Sequence, residues 1–123
     1  MILLRLSWPA PALWQNRRVH WAARSRATQE ARKTAWAEAL AMGVKNLPDA
    51  DTYTLRFAFY PPDKRKRDLH NMPATQKANI DGIADALGVD DSRFRVVWPT
   101  EWAEVVKGGA VLVEVVANAE NVA

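Results

Sequence analysis

Thr52-Tyr53-Thr54-Leu55-Arg56-Phe57-Ala58-Phe59 is the stretch from which the fold is read. Tyr53, Leu55, Phe57 and Phe59 alternate with Thr52, Thr54, Arg56 and Ala58, and a period of two sends one set of side chains to one face of a pleated strand. Aromatic residues suit that geometry. Pro61 and Pro62 end it. Upstream, the good helix formers between about Arg26 and Met42 predict a first helix, stopped by Gly43. Before it, Ile2, Leu4, Leu6 and Trp8 alternate with Leu3, Arg5 and Ser7 as a first strand. Pro9, Pro11 and the polar run through Arg24 then make a long loop, a kind of segment that often carries function. Downstream, Asn71 suits a helix cap and Pro73 a first turn, and Ile80, Ile83, Ala84 and Leu87 fall at helical spacing before Gly88. A second helix is expected from about Met72 to Leu87. Phe94 to Trp98 and Ala110 to Val116 read as two more strands, joined across Lys107-Gly108-Gly109, with fraying from about Ala117. The order strand, helix, strand, helix, strand, strand, without repeats, predicts one α+β domain over 1–123 with a small mixed sheet and two helices.

The composition fits one soluble domain: 123 residues, 49% hydrophobic and 25% charged. The net charge of +3 is modest but unevenly placed. Arg17, Arg18, Arg24, Arg26, Arg32 and Lys33 face only Glu30 in their segment, and Lys64-Arg65-Lys66-Arg67 is unbroken. Local field is what a polyanion meets. The absence of cysteine removes disulfides and thiolate chemistry and fits a cytoplasmic protein. No stretch approaches the roughly 20 apolar residues of a membrane span, and Arg5, Pro9 and Pro11 interrupt what would otherwise resemble a leader.

The segment Pro62-Asp63-Lys64-Arg65-Lys66-Arg67-Asp68-Leu69-His70-Asn71 joins a cationic run to an acid and an imidazole. Cations hold phosphates, and an acid beside them can hold a metal. In an extended segment Asp68 and His70 project to one side. A solvated surface loop is the plainer reading. Asp90-Asp91-Ser92 adds two carboxylates just past the second helix, or is simply a polar turn. Lys77 is either a cation for phosphoryl charge or a solvated helix residue. Trp14 and Trp21, interleaved with Arg17 and Arg18, either pack or stack on unpaired bases, whereas Trp8 reads as packing. His20 reads as a phosphate contact or a packing residue.

Taken in order, Trp8-Pro9, Asn16-Arg17-Arg18, the basic run into Asp68-Leu69-His70-Asn71, Gln76-Lys77-Ala78, Asp90-Asp91-Ser92 and Lys107-Gly108-Gly109 resemble the RusA-type Holliday junction resolvases over nearly the whole chain. The resemblance implies a homodimeric, Mg2+-dependent endodeoxyribonuclease acting on four-way junction DNA, with no organic cofactor and no membrane. It implies Asp68 and Asp91 as metal ligands and Lys77 as the nearby lysine. His70 stands where the family has its second acid, which leaves His70 as a ligand or proton acceptor and brings in Mn2+, since imidazole suits manganese better than magnesium. Arg17, Arg18, Lys64, Arg65, Lys66 and Arg67 would bind the DNA backbone. The alternative is a branched-DNA-binding protein that lost cleavage through His70. A second helix of about 16 residues would rise about 24 Å. With Asp68 before it and Asp91 after it, the helix is then shorter or broken near Gly82, or each active site is shared between subunits.

Overall fold

The protein is described by a computed structural model covering residues 1–14 and 18–118. Among these residues one sheet holds β1 (Ile2–Leu6), β2 (Tyr53–Tyr60), β3 (Phe94–Val97) and β4 (Ala110–Ala117), and the two α-helices are α1 (Trp21–Ala41) and α2 (Lys77–Leu87). The domain is α+β with a mixed sheet, as the alternation of its strands foretold. Strand order is β1-β4-β2-β3. β4 runs antiparallel to both neighbours, with Leu4 opposite Val113 and Phe57 opposite Val113 from the other side. β2 and β3 are parallel, Tyr53 opposite Phe94. A parallel pair needs a crossover, and α2 supplies it.

The inward set of each strand builds the core: Leu4 and Leu6, then Tyr53, Leu55, Phe57 and Phe59, then Val111, Val113 and Val115. Across the other face Leu3, Arg5 and Arg56 are exposed. The helices cover the inward face and lie against each other. Within α1 only Ala35 and Ala39 are buried, so this helix packs through small side chains and comes very close to its neighbour. Gly82 of α2 is the contact point. A Cβ there would overlap the Arg32 carbonyl oxygen and stand 2.9 Å from the Ala35 Cβ and 3.0 Å from the Trp36 nitrogen. Gly82 therefore serves close packing; the helix is not broken there.

Several boundaries differ from those the sequence suggested. α1 begins at Trp21, upstream of Arg26, because the His20 ring Nδ1 accepts a hydrogen bond from the Ala22 amide at 3.2 Å and caps it. The second helix is shorter than Met72–Leu87. Pro73 has no amide hydrogen to give, and the chain from Leu69 makes two tight 3-10 turns, Leu69–Asn71 and Pro73–Gln76, before α2 starts. Asn71 is not the cap: Asp68 caps the first of these turns. At the far end Gly88, at φ +72°, closes α2 as expected, its amide bonding the Ala84 carbonyl at 2.8 Å. β3 and β4 follow each other in sequence but are not neighbours, since β4 inserts between β1 and β2. Ala117 belongs to β4, and Asn118 is tied to Thr54 and Thr52 at 3.0 and 2.9 Å, so Ala117 and Asn118 are not frayed; the rest of the expected tail lies outside the described residues. No helix of the described residues is long and apolar enough to cross a membrane.

Candidate functional site

The loop after β2 is ordered by its first acid. Asp63 accepts hydrogen bonds from the Arg65 amide at 2.9 Å and from the Arg67 guanidinium at 2.7 Å. These donors, the backbone amide first, hold its carboxyl below the ordinary carboxylate range. Arg67 also donates to the carbonyls of Asp63 and Arg65 and lies 5.6 Å from the centre of the Trp8 ring. Its side chain is only 16% exposed. Of the four cations, Arg67 is therefore structural, whereas Lys64, Arg65 and Lys66 are exposed, Arg65 with only a long 3.9 Å contact to the Asp63 carboxylate. Arg18 is exposed as well, and Arg17 lies outside the described residues.

Asp68 follows, exposed, with Oδ1 accepting the His70 amide at 3.0 Å. The segment is a capped turn, not the extended strand that would project Asp68 and His70 to one side together. Both residues line a broad cleft with Trp98, Glu101 and Trp102. Beyond them the two 3-10 turns are held from inside by a polar chain in the core. Thr75 Oγ1 donates to the Met72 carbonyl at 2.6 Å, Gln76 Nε2 to Thr75 Oγ1 at 3.0 Å and Asn79 Nδ2 to Gln76 Oε1 at 2.7 Å. Gln76 is fully buried. A buried polar network with every member paired fixes geometry more firmly than apolar packing alone, and this one fixes the residue that opens α2, Lys77.

Lys77 holds the second cluster. Its Nζ donates to Asp81 at 2.8 Å, one turn along α2, and to Asp91 at 2.9 Å. Both partners raise its pKa above the ordinary lysine value, Asp81 first. Asp91 reaches this point because α2 has only 11 residues, a rise of about 17 Å, and the chain doubles back after Gly88. Asp91 thus lies beside the first turn of the helix. The premise that the helix holds Asp91 a full length away from its start is overturned. Asp90 caps the short turn Asp91–Arg93 through the Ser92 amide at 2.8 Å, and that bond lowers its pKa.

Sequence reasoning singled out Lys77 and Asp91, and the structure joins them. It missed Asp81, although an acid four residues after a lysine on an expected helix was a readable signal. It also missed Glu101, for which no pattern gave a cue. Among the described residues, no hydrogen bond or ion pair links Asp68 or His70 to the Lys77 cluster, and no three His, Asp or Glu side chains gather closely enough to hold a metal ion. Trp21 is 75% exposed and stacks on His20, so it packs against nothing in the core.

No family model matches the chain. A protein of Xylella fastidiosa, described as an uncharacterized protein, is 42% identical over 114 residues, which is 91% of this chain and 74% of its own length.

Proposed function

The chain belongs to the same family as this Xylella fastidiosa protein, and for it we propose a structure-selective, metal-dependent endodeoxyribonuclease of the RusA resolvase type, cutting phosphodiesters in paired strands of a four-way junction as a homodimer. What supports this reading is the 2.9 Å contact between Lys77 and Asp91, two residues distant in sequence that the resemblance assigns to one catalytic centre. Asp68, Asp91 and His70 would be the residues to hold Mg2+ or Mn2+, which would supply an activated water and neutralise phosphate charge. The two carboxylates would be the hard oxygen donors such an ion takes and the His70 imidazole a nitrogen that favours Mn2+, once Asp68 and His70 are brought to Asp91. Lys77 stays protonated between its carboxylates and offers positive charge where negative charge develops on the phosphate. Arg18, Lys64, Arg65 and Lys66 hold the DNA backbone.

The separation of Asp68 and His70 from the Lys77 cluster favours a second reading, a branched-DNA-binding protein without cleavage. One experiment divides them: a synthetic four-way junction and a linear duplex, each incubated with Mg2+ or Mn2+ and with chelator. The nuclease reading expects paired nicks in the junction, abolished by Asp68→Asn or Asp91→Asn while binding stays within a few fold. Tight junction binding without cutting in either metal leaves the second reading, and equal affinity for both DNAs removes both.

A further inference from the structure

The end of β1 carries a cleft whose tryptophan wall the proposed chemistry does not use. Trp8 and Trp14 wall it, Arg65 and Lys66 rim it, and Asp68 and Asn71 close its far side. Its volume is about 490 Å3, inside the range of roughly 300–1,000 Å3 typical of sites for small organic groups. The wall is rigid. The Trp8 ring lies 6.1 Å from Trp14 and 6.0 Å from Trp102, with the Arg67 guanidinium over it. Gly109 presses against it, so that a Cβ there would stand 3.0 Å from Trp8. The Trp14 backbone is anchored by its carbonyl, which accepts from Arg24 at 3.3 Å, and its ring leans on Trp8. A ring fixed in this way stacks on a ligand without first being ordered.

The charge around the cleft says which ligand it takes. Arg67 and Asp68 line it and also line the neighbouring cleft of Trp98 and Trp102, so Asp68 sits on a ridge between two aromatic walls. The neighbouring cleft carries Glu101, and a phosphate chain avoids a carboxylate. The Trp8–Trp14 cleft has cations at its mouth instead. We propose that it receives one unpaired nucleobase, from the DNA strand whose phosphate lies at Asp68, while Arg65 and Lys66 hold the adjoining backbone. Aromatic rings beside cations are how proteins take up unstacked bases. Linear duplex keeps its bases stacked, so the cleft selects branched DNA. The proposal rests on the nuclease reading for the position of the phosphate, but not for the base itself.

The test uses the full chain in chelator and a four-way junction bearing 2-aminopurine at the branch, with the same base inside a linear duplex as control. Binding is expected to change the 2-aminopurine fluorescence in the junction alone. Trp14→Ala should remove that change and weaken junction affinity about tenfold, leaving duplex affinity within about twofold, and Trp36→Ala, at an exposed tryptophan of α1, should do neither. An unaltered fluorescence change and affinity in Trp14→Ala overturns the proposal. If Trp14→Ala does not fold, Trp14→Leu, which keeps apolar bulk and removes the stacking face, decides at saturating protein: loss of the branch signal supports the site, and its persistence overturns it. Cleavage plays no part in this readout. A protein that shows the base signal and never cuts keeps the cleft and loses the nuclease; one that cuts without the signal does the reverse.

Discussion

Four adjacent cations look alike in a sequence, yet Arg65 and Arg67 do different work. Arg67 is fastened to Asp63 and Trp8, while the Arg65 side chain is 79% exposed. Substituting Arg65 by Ala should lower the slope of log affinity against log salt by about one, as one lost phosphate contact does. Arg67→Ala should instead leave the slope nearly unchanged and loosen residues 63–71, seen as faster amide exchange in that loop. Equal slope changes in the two variants would return Arg67 to the DNA surface. Lys77 allows a second comparison. Its pKa is raised, so the stabilisation from its two ion pairs is complete below the ordinary lysine value of about 10.4 and is lost as pH rises through the higher folded value. Asp81→Asn, removing the larger cause, should move the titration of the Lys77 Nζ, followed by NMR, toward lower pH. A titration that does not move would show that Asp91 alone holds the ammonium.

At the scale of elements, strands were more legible than helix ends. The alternation in β2 and the flanking prolines leave one reading, because a period of two over eight residues has no helical equivalent. The start of α1 was hidden because its cap is a histidine ring, outside the usual set of Ser, Thr, Asp and Asn. The span from Met72 to Gln76 was read as the start of the second helix since its residues tolerate helix; what holds Leu69 to Gln76 in two tight turns is the buried chain from Thr75 through Gln76 to Asn79, a tertiary arrangement no local pattern encodes. The site suffered from the same limit. The pairing of Lys77 with Asp91 depends on where the chain returns after Gly88, while the Lys77–Asp81 spacing was there to be seen. Gly82 was suspected as a break and is a contact. Gly82→Ala should push α1 and α2 apart and cost about 2 kcal/mol or more, the usual range for overpacking, despite the better helix propensity of alanine. Chemical denaturation would measure it; a stabilised variant would mean that the helices part without strain.

Across the whole molecule, the sheet is assembled out of sequence order. β4, which follows every other described element, is hydrogen-bonded on both sides, to β1 and to β2. Among the described residues β1 pairs with β4 alone. During synthesis, then, β1 waits until β4 has been made before it acquires this partner, and the edges of β1 and β2 that flank β4 stay open until then. Contacts this distant in sequence form slowly, and unpaired strand edges invite aggregation while they wait. A protein truncated after Gly109 should accordingly lack a folded sheet, with β1 amides that exchange as fast as those of an unstructured peptide; slow exchange at Leu4 or Leu6 in that fragment would show a sheet able to form without its centre. In the intact chain the same arrangement makes the last step of folding a closure, in which one arriving strand converts two separate pieces into a single domain.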